Sequence, residues 1–347
     1  MIFSHLPLGS LTLMGLTALA VFGAATPAAA KPQSTFTNPL KVHGADPWMT
    51  YYHGWYYLGT TTGSNVSLRR ARHIADLKTA PDTVVWKDEN HDRFQNVWAP
   101  EFHLLESGHG LRWYLYYTAD DGKNGDQNHR IYVAESAGTD PLGPYTYKAQ
   151  LQTDPKNAYY AIDATVLKLP NGTLYAIWCG RPSDHGQGLF IARMSNPWTI
   201  TGERTALEAS GFGCQWVREG PVTLLHDGRI FLIYSACSAD TADYKLGMLE
   251  ADLTADLLAP ASWKQHPEPV FTRDDAHGIY GPGHNFFFRS PDGKEGWIVY
   301  HAKTSTNTTY ADRTTRAQPF TWRPDGTPDF GRPLPIDTAI PVPSGEK

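Results

Sequence analysis

The sequence predicts an all-β chain folded as a five-bladed β-propeller. Three observations lead there. A strand–turn–strand unit recurs five times, and in each a polar residue stands eight or nine residues ahead of a glycine that opens an apolar strand. Those polar residues are Asp46, Glu101, Asp163, Glu219 and His284, separated by 55, 62, 56 and 65 residues. Helical periodicity is nearly absent, with 249–258 the one stretch that reads as a short helix. A β-sandwich is the architectural alternative, but it would not explain five copies in phase.

Taken in order, the apolar strands cover 55–59, 113–117, 174–178, 230–234 and 297–301, all rich in aromatic and β-branched residues. Asn171-Gly172, Asp227-Gly228 and Asp292-Gly293 precede three of them, pairs that reach positive φ cheaply and close tight hairpins. The strand before each turn carries the polar residue at its start, as in 164–169. Further strands fit at 130–134 and 188–192, giving about four per unit, as a propeller blade needs.

Residues 1–30 read as a signal peptide rather than as part of the fold. An apolar run covers 11–25, and Ala28-Ala29-Ala30 supplies the small residues a signal peptidase needs, with cleavage before Lys31. The leader lacks Lys and Arg, which is atypical. A membrane anchor is the rival reading, but the run is short for a span and Thr26-Pro27 interrupts it. The expected protein is therefore secreted and extracellular, with 31–347 forming one propeller domain, a monomer with neither membrane nor nucleic acid as a partner. A formal net charge of −5 without a basic cluster argues against nucleic acid.

Eleven tryptophans and a 12% aromatic share suit a sugar binder, although aromatics also fill sheet cores. Three cysteines, Cys179, Cys214 and Cys237, allow one disulfide at most and leave one thiol free. Cys179 and Cys237 end corresponding strands of adjacent units; the pairing stays open. Asn65, Asn171 and Asn307 each open an N-glycosylation tripeptide. No zinc spacing, phosphate-binding glycine loop or Ser-His-Asp signature is present.

Asp46, Asp163 and Glu219 carry the chemistry. Hydrolysis of a glycoside needs one carboxylic acid to protonate the leaving oxygen and one carboxylate to activate water or attack. A third carboxylate nearby can raise the acid's pKa by repulsion. Any one of them alone would read as a turn residue or strand-end cap. Together, at one phase of a repeat, they read as a site.

The motifs around these residues are Gly44-Ala45-Asp46-Pro47, Val97-Trp98-Ala99-Pro100-Glu101, Ala161-Ile162-Asp163-Ala164-Thr165, Arg218-Glu219-Gly220-Pro221 and Gly281-Pro282-Gly283-His284-Asn285. In that order they resemble the blade motifs of glycoside hydrolase family 43, and residues 38–62 resemble its secreted exo-acting α-L-arabinofuranosidases. The resemblance implies a five-bladed propeller and an inverting mechanism. It makes Asp46 the general base, Glu219 the general acid, and Asp163 the residue that raises and orients that acid. It further implies a plant cell-wall arabinan or arabinoxylan as substrate, releasing terminal α-L-arabinofuranose. A β-xylosidase, an endo-arabinanase or a sugar-binding propeller without catalysis are the alternatives.

Around the trio, Glu101 is expected to anchor the Trp98 loop, and Trp98 is either core packing or a sugar platform. His284 matches a histidine that approaches a hydrated axial calcium in relatives, or it contacts substrate, or it only bonds its neighbours. Arg316 matches an arginine that reaches the sugar, with Arg313 close enough in sequence to compete for that role.

Overall fold

Five four-stranded antiparallel sheets follow one another along the chain, each with its strands in sequence order. They appear in a computed structural model that describes residues 34–123, 125–182 and 186–347. The expected signal peptide lies outside the described residues. The first sheet comprises Trp48–Tyr52, Trp55–Gly59, Val66–Ala71 and Thr83–Trp86. The second comprises Gln95–Ser107, Gly110–Asp120, Arg130–Ser136 and Tyr145–Gln150. The third runs through Ala161–Lys168, Leu174–Gly180, Gly188–Asn196 and Thr199–Leu207. The fourth holds Arg218–His226, Arg229–Ala236, Lys245–Asp252 and Lys264–Gln265. The fifth holds Tyr280–Arg289, Gly296–Lys303, Thr314–Trp322 and Pro328–Asp329. The first strand of each sheet touches that of the next, and the fifth touches the first, so the sheets close into a ring. This is a five-bladed propeller.

The tight turns form where the sequence places them. Asp227 and Gly228 both take positive φ, at 45° and 73°, between the paired residues His226 and Arg229. That is the primed two-residue turn whose twist matches its flanking strands. His53-Gly54 does the same between Tyr52 and Trp55.

The helix expected over 249–258 does not form. Its first half belongs to Lys245–Asp252, the third strand of the fourth blade, paired residue for residue with Arg229–Ala236. The strand is buried on both faces, so sheet pairing overrides a local pattern that fits either structure. Among the described residues the only helical segments are short 3₁₀ turns.

One hydrophobic cluster fills each gap between neighbouring blades. Tyr116, Val133, Val166 and Trp178 join the second and third, while Ile177, Ile191, Leu232 and Leu249 join the third and fourth. Ile233, Met248, Ile298 and Phe320 join the fourth and fifth. Met49, Leu58, Trp297 and Val299 join the fifth to the first, and Trp48, Leu68, Phe102 and Leu115 join the first to the second. Because each blade buries both faces, its strands read as continuous apolar runs.

The ring is also fastened near its ends. Thr35–Phe36 pairs with Ile340–Pro341, and Lys41 bridges to Thr315 in the fifth blade. Gly44 completes that seam: a Cβ there would stand 2.1 Å from the Thr315 hydroxyl, so no larger residue fits without moving the strand. The seam delivers Asp46 to the axis.

Candidate active site

The innermost strand of every blade is kinked where it reaches the axis. Positive φ occurs at Asp46 (53°), Ala99 (43°), Asp163 (55°), Gly220 (53°) and His284 (45°). Register shifts accompany the kinks, between Trp98 and Glu101, Ile162 and Thr165, Glu219 and Val222, and Gly283 and Phe286. Bulges of this kind re-aim side chains beside functional sites. Positive φ in non-glycine residues costs about 1 kcal/mol or more each and is tolerated where surrounding structure enforces it.

The kinks turn Asp46, Asp163, Glu219 and His284 into one cavity of about 420 Å³. All five blades contribute to its wall: Thr61 from the first, Trp98 from the second, Tyr160 and Gln187 from the third, Ser238 from the fourth, and Tyr310 and Arg313 from the fifth. The volume falls in the roughly 300–1,000 Å³ range of small-ligand sites.

Asp46 is the most heavily bonded of the carboxylates. Its Oδ1 lies 2.8 Å from Arg313 Nη1, and its Oδ2 accepts the Thr61 hydroxyl at 2.7 Å. Its own N–H donates to His301 Nδ1 at 3.1 Å. Burial opposes ionisation, but the Arg313 charge beside it prevails and holds Asp46 well below the usual carboxylate range. His301 is fully buried with its ring stacked on Tyr244 at 5.4 Å. Burial pushes its pKa down to about 4, so it stays neutral and accepts the Asp46 N–H.

Glu219 behaves in the opposite way. Burial pushes it up to about 7; the Tyr244 hydroxyl, which donates at 2.8 Å, works against that rise, and the Asp46 charge adds to it. Asp163 is raised well above its ordinary value, by burial first and then by Glu219 and Asp46. Its Oδ2 accepts the N–H of Gly220 at 3.0 Å, the residue directly after Glu219. The Asp163–Glu219 pair therefore retains a proton where isolated carboxyls would have lost theirs, while Asp46 is ionised. Gly220 admits this arrangement, since a Cβ there would stand 3.2 Å from the His284 ring.

His284 faces Asp46 Oδ1 at 3.4 Å, and burial lowers its pKa against the pull of Asp46 and Glu101. Among the described residues, no three His, Cys, Asp or Glu side chains converge as a metal-binding group. His284 thus offers calcium a single nitrogen, whereas calcium takes six to eight oxygens. The residues present do not make a calcium site by themselves.

Two expectations need correction. Arg316 is fully buried in the strand Thr314–Trp322 and does not line the cavity; its guanidinium donates to the Thr314 hydroxyl at 3.1 Å and the Lys303 carbonyl at 3.4 Å. Arg313, just ahead of that strand, reaches the site instead. Glu101 does not hold the Trp98 loop; it pairs with His103 at 2.8 Å. The loop is tied by Thr61, whose hydroxyl oxygen accepts the Ala99 N–H at 2.7 Å while donating to Asp46. Trp98 is in the cavity wall, with its inner face stacked on His129 at 4.0 Å.

Thr61, Tyr244, His301, Gln187 and Tyr310 carry no motif of their own, and only their place beside the repeat could have suggested them. The disulfide joins Cys214 to Cys237 and leaves Cys179 free and buried. It ties the segment leading to Val217 and Glu219 to the one leading to Ser238 and Ala239, two parts of the same wall.

The model of glycosyl hydrolases family 43 matches residues 36–328. An extracellular exo-α-(1→5)-L-arabinofuranosidase of Streptomyces avermitilis is 40% identical, over 94% of this chain and 70% of that protein. The α-L-arabinofuranosidase 43 of Humicola insolens is 37% identical, over 94% of this chain and 69% of that protein. The crystal structure of an α-L-arabinofuranosidase from Lactobacillus brevis superposes with a TM-score of 0.79 at 35% identity, covering 87% of this chain and 98% of that one. With its propeller, its ring of blade motifs and a family match over most of its length, this chain belongs to glycoside hydrolase family 43.

Proposed function

We propose that this protein is an inverting, exo-acting α-L-arabinofuranosidase that removes terminal arabinofuranose from arabinan or arabinoxylan side chains. The observation that carries the reading is the opposed ionisation of Asp46 and Glu219 across one cavity. An acid and a base with pKa values pushed apart are what single-step glycoside hydrolysis requires.

Asp46 acts as the base. Ionised and held by Arg313 and Thr61, it accepts a proton from the water that attacks the anomeric carbon. Glu219 acts as the acid, donating its proton to the glycosidic oxygen as the bond breaks, on the face opposite that water. Asp163, itself raised by burial and by Glu219, forms with Glu219 a carboxyl pair that holds a proton, and it fixes the backbone after Glu219 by accepting the Gly220 N–H. Trp98 and Tyr160 form flat walls for the furanose ring, and His284 and Arg313 line its polar side. The substrate assignment draws on the arabinofuranosidases among the relatives.

A calcium ion at the axis would meet one protein ligand, His284, and otherwise water. Activity lost on prolonged chelation and restored by calcium would establish it. Among the described residues no helix is long and apolar enough to cross a membrane. Two arabinofuranosidases among the relatives are named extracellular, which supports a secreted enzyme.

One assay panel tests the reading. 4-Nitrophenyl α-L-arabinofuranoside and branched arabinan should be hydrolysed to free arabinose, with 4-nitrophenyl β-D-xyloside turned over far more slowly. Preference for the xyloside, or oligosaccharides as the first products from linear arabinan, would overturn it.

A further inference from the structure

Behind the cavity wall lies a buried acid–imidazole pair that the reaction does not use. Asp120 and His129 are both fully buried, with His129 Nδ1 3.3 Å from Asp120 Oδ2. The Asp120 carboxylate is filled: both oxygens accept from the Asn96 amide at 3.0 Å, and Oδ1 accepts the Gly122 N–H at 2.8 Å. The His129 ring is pinned too, with Nδ1 3.0 Å from the Asp126 carbonyl and Nε2 3.4 Å from the Asn96 carbonyl. Burying a carboxylate and an imidazole together is costly unless the geometry is good, and an apolar pair would pack as well. The pair therefore calls for a purpose.

Its surroundings supply one. The His129 ring stacks on Trp98 at 4.0 Å and 24°, and it meets Tyr160 edge-on at 5.9 Å and 67°. Trp98 and Tyr160 are two of the aromatic residues that line the cavity, with Tyr310 the third. Trp98 needs such backing, because its strand is bent on both sides, with positive φ at Asn96 (49°) and Ala99 (43°). Backbone held this way must be enforced by its neighbours. Asn96 serves both ends, since its amide holds Asp120 and its carbonyl faces His129.

We propose that Asp120 and His129 are positioning residues: together they hold Trp98, and at its edge Tyr160, at the angle needed to stack against the furanose ring of the substrate. They touch no reacting atom and act through Trp98. The proposal rests on the arabinofuranosidase reading. It makes ring binding, rather than proton transfer, the property that the buried pair controls.

A double-mutant cycle between Trp98 and His129 tests it, read with 4-nitrophenyl α-L-arabinofuranoside and with L-arabinose as a competitive inhibitor. His129→Gln should raise KM and the arabinose inhibition constant about tenfold, the scale of one lost aromatic contact, with kcat changed less than about threefold. In a Trp98→Leu background the same change should alter both constants by less than about twofold, because the group it acts through has gone. Should His129→Gln fail to fold in a melting curve, Asp120→Asn runs the same cycle more mildly, keeping the acceptor for Gly122. An unchanged KM, or an equal tenfold loss in both backgrounds, overturns the proposal. A wild-type enzyme that neither cleaves the arabinofuranoside nor binds arabinose would instead sink the functional reading beneath it.

Discussion

Arg313 and Asp46, 267 positions apart in the chain, meet at 2.8 Å across the seam between the fifth and first blades. The contact joins ring closure to catalysis, since the residues that fasten the propeller also set the ionisation of its base. Arg313→Gln should raise the Asp46 pKa, because removing a cation makes the carboxyl harder to ionise. The acidic limb of the kcat/KM profile then moves to higher pH, with a loss of about 10²-fold at the optimum. Arg316→Gln, which leaves the cavity untouched, should lower the melting temperature and leave that limb in place.

Glu219→Gln removes the proton that a poor leaving group needs. Activity on arabinan should fall by about 10²–10⁴-fold, while an aryl glycoside with an acidic phenol leaving group loses much less. Equal losses on the two substrates would show that Glu219 is not the acid. In the wild type, the alkaline limb should fall where Glu219 ionises, about pH 7 in the free enzyme.

Asp163→Asn should move that alkaline limb to lower pH, since Glu219 loses a repelling neighbour and gives up its proton sooner. The same change should stabilise the fold. Asp163 has a folded pKa above its ordinary 3.8, so ionising it costs stability as pH rises beyond that value. The gain in stability should vanish below about pH 4 and grow toward neutrality, on the order of 0.5–2 kcal/mol, as melting curves across pH would show. Asn tolerates the positive φ and can still accept the Gly220 N–H. A limb that stays put with a uniform drop in rate would leave Asp163 a positioning role alone.

Replacing Cys214 and Cys237 together by Ala should cost about 3 kcal/mol, as expected for a bridge spanning 23 residues. It should also raise KM, because both tethered segments line the cavity. Melting curves and Michaelis kinetics on the double variant check the two effects separately.

The repeat was legible because a propeller imposes one phase on chemistry and packing alike. Asp46, Asp163, Glu219 and His284 sit at the axis for the same reason that glycine turns follow them at nearly constant spacing. Arg313 and Arg316 could not be told apart, since three positions at the entry to the strand Thr314–Trp322 decide between cavity and core, and the sequence does not mark where that strand begins. Glu101 kept the phase but not the expected partner, because its bulge turns it toward His103. His129 lies outside the repeat's polar position and is known only by what it stacks on. The strand Lys245–Asp252 misled for a different reason: a strand buried on both faces carries no alternation to read.

The central claim is that Asp46 activates water opposite the proton held by Glu219, and the stereochemistry of the first product tests it most directly. Proton NMR of the sugar released from a 4-nitrophenyl α-L-arabinofuranoside, recorded before mutarotation, should show β-L-arabinofuranose forming first. Initial appearance of the α anomer would mean retention and a covalent intermediate, and would contradict the assignment of Asp46 as a base.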